Sequence, residues 1–237
     1  VPGSIVASFS QTCAWLIVFL GIFLQNILHY SPLTAGYALF PMIAMGIVSA
    51  NVGGMLVDKV GARIPVILGT GLIFLGIFIT LILFRNISYY SILPILILSG
   101  SGIFMINGPI RTTMLNQIGK DKYGMVNSTL NGIRGVFSAL GFAILSAIVT
   151  SVEYSQVKIK LFDSFPNMTI EKVNVLLGLL SHTSKSEAFL SQLQVQMRRS
   201  IYQIVYTSYI NGFFWMLVFL GSLSFLIFII SVFFIKS

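Results

Sequence analysis

Charge is scarce in this chain. Only 8% of its 237 residues are Asp, Glu, Lys or Arg, against 56% hydrophobic, and the mean hydropathy is +0.94. A soluble domain carries about 25% charged residues. So few charges cannot cover a surface that faces water on all sides, and lipid is the expected solvent for most of it. Cysteine is almost absent. Cys13 stands alone, which excludes an intrachain disulfide, and its apolar surroundings make it a small packing residue. His29 and His182 are isolated, and no His, Cys and acid cluster has metal-ligand spacing, so no metal is expected. The spans described below contain no paired acids and no Ser/His set, and no P-loop occurs, so the chain does not read as an enzyme. The net charge of +8 comes from basic residues set between apolar runs, which is membrane topology rather than nucleic-acid binding. No basic segment with a cleavage site precedes the first apolar run, so that run is not a signal peptide. The chain opens on Val1 rather than Met, and the expectation is that it continues upstream.

The uncharged stretches define the spans. No charge occurs between Val1 and Val57, long enough for two spans at about 20 residues each. They break at Gln25, Asn26, His29, Tyr30, Ser31 and Pro32. Ser31 is placed to cap the second helix, with Pro32 in its first turn. Five transmembrane helices are expected within 1–150, near 5–27, 33–56, 64–84, 89–110 and 127–150. A sixth, with a short tail, occupies 208–237. Between them, 151–207 reads as an extracytoplasmic loop carrying an amphipathic helix. The fold class is all-α and integral to the membrane. Lys59, Arg63, Arg111, Lys120, Lys122 and Lys236 fall on one side, while Arg85 is alone in the short loops of the other. The positive-inside rule then puts both ends in the cytoplasm.

Helices in lipid associate through small residues. Gly135, Ala139 and Ala143 recur every fourth residue in the fifth span, and Gly46 and Ala50 do so in the second; these are candidate helix-packing positions. Ser99-Gly100-Ser101-Gly102 in the fourth span reads equally as a bend or as a close contact. Gln11, Gln25, Asn107, Asn131 and Arg134 are polar within or beside spans and are candidate lining for a translocation path. For Arg134, snorkelling to the surface is the competing reading.

The segment after the second span is the most informative. It reads Gly54-Met55-Leu56-Val57-Asp58-Lys59-Val60-Gly61-Ala62-Arg63. Gly61 suits a tight turn, and Asp58 and Arg63 are placed to pair with each other or with neighbouring helix termini. This resembles the signature loop of the major facilitator superfamily, G-x-L-[AV]-D-[RK]-x-G-[RK]-[RK]. Gly54, Leu56, Val57, Asp58, Lys59, Gly61 and Arg63 match, and Ala62 departs where a basic residue is usual. Tyr30 through Gly36 with Pro41, and Gly124 through Asn131 with Arg134 and Gly141 to Ile144, resemble the C-terminal half of the fourteen-span drug:proton antiporters (the EmrB/QacA type).

The resemblance implies a six-helix half of that fold, with a long outer loop between its last two helices. It implies a conformational latch at Gly54, Asp58, Lys59, Gly61 and Arg63. It further implies proton-driven efflux of amphipathic drugs or toxic compounds by alternating access in a bacterial inner membrane. No cofactor is implied beyond the proton gradient. The partners would be the bilayer, the N-terminal half of the same transporter, a small amphipathic substrate and a periplasmic adaptor protein. An importer of a small nutrient and a non-transporting scaffold or degenerate half-transporter remain as alternatives. No Asp or Glu falls inside the six expected spans, so the coupling acid is expected in the other half.

Overall fold

The computed structural model describes residues 2–116, 123–165, 173, 175–176 and 195–234. Among these the secondary structure is helical, in ten elements. They are α1 (Pro2–Ala14), α2 (Leu16–Asn26), α3 (Pro32–Ala38), α4 (Phe40–Val60), α5 (Arg63–Leu83), α6 (Tyr89–Pro94), a π-helical turn (Ile95–Ser99), α7 (Gly100–Asn116), α8 (Tyr123–Ser164) and α9 (Val195–Phe234). Six stretches are long and apolar enough to cross a membrane: Ser8–Asn26, Pro32–Val60, Arg63–Leu83, Tyr89–Ile110, Asn127–Ser164 and Val195–Phe233.

Local chemistry sets the breaks. Ser31 accepts from the Thr34 backbone N–H at 3.1 Å, with Pro32 at the start of α3. The second span breaks again at Leu39, because Pro41 lies in the first turn of α4 and supplies no N–H to a preceding helix. Pro94 similarly precedes the π-helical turn in the fourth span.

The chain divides into two compact units. In the first, Val1–Ala143 with Leu217–Ser237, the fourth span is the hub, packing on α1, α4 and α5. Glycine carries these approaches. A Cβ at Gly53 would meet the Met105 carbonyl at 2.8 Å, and one at Gly76 would meet Ser99 Oγ at 2.9 Å. Gly100 abuts the backbone of Met42, and Gly102 abuts the carbonyl of Gly69. The Ser99–Gly102 stretch is therefore a close contact, and it directly follows an irregular turn of the ladder. The first span meets α8 at one crossing, where Gly141 abuts Thr12, and Trp15 Nε1 donates to the Ser138 carbonyl at 2.9 Å. The Phe142 ring lies tilted against Trp15 and Phe19 there, with ring centroids 4.7 and 5.6 Å apart.

The second unit, Ile144–Met216, contains the largest difference from the sequence reading. The fifth helix does not stop near 150 but runs unbroken to Ser164, and the sixth is already helical at Val195 rather than 208. The charges here resembled a loop, yet Lys158, Lys160 and Asp163 are half-buried or exposed on the outer face of an amphipathic continuation. Val157 and Leu161 bury against Val173, Leu176, Ile201 and Val205. The two helices pair closely, with Gly212 against Val149 and the Asn211 amide donating to Gln156 Oε1 at 2.8 Å. At 42 residues α8 is about 63 Å long, twice a ~30 Å hydrocarbon core. Residues 166–172, 174 and 177–194 of the expected loop lie outside the described residues, as do Lys120, Lys122 and Lys236.

Candidate functional site

The signature segment is mostly helix rather than loop. The expected span end at 56 is overrun, because Leu56, Val57 and Val60 keep the helical period and α4 continues to Val60. Asp58 and Lys59 thus stand in its last turn, both exposed. Gly61 ends it at φ 79°, ψ 174°, a region that is essentially glycine-only. The Gly61 N–H caps the Val57 carbonyl at 3.0 Å. One residue later Arg63 begins α5, so the turn itself is only Gly61 and Ala62.

Asp58 and Arg63 do not pair with each other. Arg63 instead donates from Nη2 to the Val232 carbonyl at 3.1 Å. Val232 lies in the last described turn of α9, towards the negative end of the helix dipole. Of the two pairings the sequence allowed, the helix terminus is the one realised. Asp58 stays on the surface, and a Cβ added at Gly54 would meet nothing within 4 Å.

The candidate packing positions separate into two kinds. Gly46 is buried against the Phe104 ring. Ala50, Gly135, Ala139 and Ala143 are exposed, and a Cβ at Gly135 would meet open space. Within this chain the fifth helix packs through Ser138 and Gly141, off the four-residue row. That row, with Asn131, faces away from the helices of its own unit.

The candidate lining residues do not form one group. Gln11 is half-buried beside Thr12, at the crossing with α8. Arg134 is half-buried one turn before Ser138, on the row that meets the first span. Asn107 is half-buried and returns its amide to the Ile103 carbonyl at 2.9 Å. Gln25 stands apart. It is exposed, donates to the Gly21 carbonyl at 3.2 Å, and lies about 21 Å along the first span from Gln11. Sequence reasoning missed Trp15 and Ser138, which fix where the first span crosses the fifth. A tryptophan amid aliphatic residues was the available signal, since its N–H needs a partner when removed from water.

Glu153, in the stretch expected as a loop, is buried inside the continuous α8. Antiparallel register from the Val149–Gly212 contact puts it level with Ser208, a fully buried hydroxyl with no hydrogen-bond partner among the described residues. No group of three or more His, Cys, Asp or Glu able to hold a metal occurs among the described residues.

Comparison with known proteins agrees with this architecture. The chain is 30% identical over 129 residues to Multidrug resistance protein Stp of Mycobacterium tuberculosis, a stretch covering 54% of this chain and 24% of that protein. It is 30% identical over 141 residues to the uncharacterized MFS-type transporter EfpA of the same organism, covering 57% of this chain and 26% of EfpA. It is 24% identical over 170 residues to the uncharacterized MFS-type transporter YhcA of Bacillus subtilis, covering 70% and 32%. The chain thus spans about a quarter to a third of the length of these relatives. The family model of the Major Facilitator Superfamily matches residues 2–143, which run from α1 through the crossing of the first and fifth spans. This chain, with its six apolar helices and its Gly54–Arg63 segment, belongs to the Major Facilitator Superfamily.

Proposed function

We propose that this chain is the C-terminal half of a secondary active transporter that exports amphipathic compounds in exchange for protons, by alternating access. The observation that carries the reading is an uneven burial of the spans. The second and fifth spans are the least covered, with 22% and 17% of their most apolar windows buried. They also carry the exposed small-residue positions Ala50, Gly135, Ala139 and Ala143. A smooth row of small residues is poor lipid surface but good helix-packing surface. On this reading the row meets the N-terminal half, and Asn131 on the same row faces the path between halves.

The latch reading follows from the same geometry. Arg63 is committed to the sixth helix within this half, whereas Asp58 and Lys59 stay exposed beside the Gly61 turn. Two exposed charges held at the end of α4 suit a contact that forms in one conformation and parts in the other. Both described ends then lie in the cytoplasm, and the hairpin of α8 and α9 projects outside. The direction of transport follows from relatives named as multidrug resistance proteins. The family resemblance supports a place in a bacterial inner membrane, with a periplasmic adaptor as a further partner.

The test uses the full-length transporter in inside-out vesicles with an imposed proton gradient and ethidium as probe. Ethidium uptake that collapses with the gradient, and falls in Asp58→Asn, is the expected result. Uptake indifferent to the gradient, or the same in Asp58→Asn, overturns it.

A further inference from the structure

The faces of α5 and α9 that meet in the first unit enclose a shallow groove of about 290 Å³, lined by Phe74, Phe78, Leu81, Val218, Ser222 and Phe225. Gly221 is also part of the lining, and a Cβ there would lie 3.3 Å from Ile77 Cγ2, so the glycine lets α9 approach α5 closely beside the groove. The Phe74 and Phe225 rings close one end, with centroids 5.1 Å apart. Phe78 and Phe225 are each 48% exposed, so the groove opens sideways. Both lining helices are candidate membrane spans, so the opening faces the bilayer or something within it.

The chemistry of the lining restricts the occupant. Its one hydroxyl, Ser222 Oγ, already donates to the Val218 carbonyl at 2.9 Å, leaving no unpaired donor for a polar ligand. Drug-sized pockets run about 300–1,000 Å³ and enclose most of their ligand. This groove is at the bottom of that range and open along one side. Its lining is almost entirely apolar, which fits a hydrocarbon chain.

A cation completes the site. Phe74, Phe78 and Leu81 lie on one row of α5, and Arg85 is exposed two residues past the helix end at Leu83. From Phe74 to the helix end at Leu83 is about 14 Å, with Arg85 two residues beyond. One leaflet of a ~30 Å hydrocarbon core is about 15 Å deep. The guanidinium therefore stands at the level of a lipid phosphate when the chain of that lipid ends at Phe74.

We propose that the α5/α9 groove is a phospholipid site, taking one acyl chain along Phe74, Phe78 and Phe225 with the lipid phosphate held by Arg85. Arginine suits the phosphate because its fork of N–H groups meets two oxygens at once. The lipid comes from the leaflet nearest the Arg85 turn. It fills a seam between the third and sixth spans that side chains leave open. The site stands independently of what the transporter carries or in which direction.

The full-length transporter, reconstituted in phosphatidylethanolamine vesicles containing phosphatidylglycerol with a diazirine in its tail, provides the test. After irradiation, adducts are mapped by peptide mass spectrometry. The expected pattern is labelling concentrated on Phe74, Phe78 or Phe225 and sparse on Leu75, an exposed α5 residue of similar depth. Ser222→Trp, which fills the groove, should reduce the groove adducts to the Leu75 level and leave Leu75 unchanged. Arg85→Ala should weaken capture by about fivefold, the worth of one basic contact near an anionic surface. Equal labelling of the groove and Leu75 in the wild type overturns the proposal and leaves only annular lipid. A groove that cross-links to another segment of the transporter overturns it too. Because the wild-type pattern decides by itself, misfolding of Ser222→Trp does not leave the question open.

Discussion

The Arg63 guanidinium donates to the Val232 carbonyl at 3.1 Å, tying the first turn of the third span to the last described turn of the sixth. This is a long-range contact of 169 residues, and it closes the first unit at the end that carries the signature turn. Arg63→Gln removes the charge at a carbonyl-rich helix end. The expected cost is about 1–2 kcal/mol, read as a lower melting temperature of the detergent-purified protein. Arg63→Lys should recover part of it, and a melting temperature unchanged in Arg63→Gln counts against the tie.

Gly61→Ala tests the turn beside it. At φ 79°, ψ 174° an alanine is strained even though a Cβ has open space around it. The expected loss is about 1–3 kcal/mol of stability. If Gly61→Ala melts with the wild type, the turn has another conformation.

Asp58→Asn is expected to behave in the opposite way. Its side chain is exposed, so stability should move by no more than about 0.5 kcal/mol. Transport by the full-length protein should fall instead. A variant both stable and fully active would remove Asp58 from the latch.

Gly102→Ala and Gly135→Ala make a matched pair. The added methyl at Gly102 collides with the carbonyl of Gly69, whereas at Gly135 it meets nothing. Gly102→Ala should therefore cost about 1–3 kcal/mol. Gly135→Ala should be neutral or stabilise this half by about 0.4–1 kcal/mol. Its bulkier counterpart Gly135→Leu should leave this half folded but impair transport by the full-length protein. Normal transport by Gly135→Leu would mean that the row faces lipid.

Trp15→Phe keeps a ring against Phe142 but loses the donor to Ser138. A loss of about 1 kcal/mol is expected, measured by thermal unfolding. Ser138→Ala should cost less, because the Ser138 carbonyl still accepts from Trp15.

What the sequence made legible was governed by local chemistry. Uncharged runs located the spans, the Ser31–Pro32 pair located a helix start, and Gly61 located a turn. Three features needed information held elsewhere in the chain. The helix beyond 150 was hidden because its apolar positions, Val157 and Leu161, acquire meaning only against Ile201 and Val205, some forty residues on. The used contact of the fifth span was hidden because Gly141 is selected by Thr12 and Trp15, not by its own spacing. The partner of Arg63 was hidden because a backbone carbonyl leaves no mark in the residue types. The candidate lining set was the least legible part, since polar residues in spans also satisfy their own helix, as Gln25 and Asn107 do.

The π-helical turn at Ile95–Ser99 sets the frame for everything after it. Its wider ring inserts one residue into the ladder and rotates the following face by about 100° relative to an uninterrupted α-helix. Gly100 and Gly102 reach Met42 and Gly69 only in that shifted frame. Deleting a single residue between 95 and 99 would leave a regular, equally apolar span, and it would turn both glycines away from the helices they now touch. The fourth span is thus indexed by count as well as by composition, and its length in that stretch is under a constraint that hydropathy does not register.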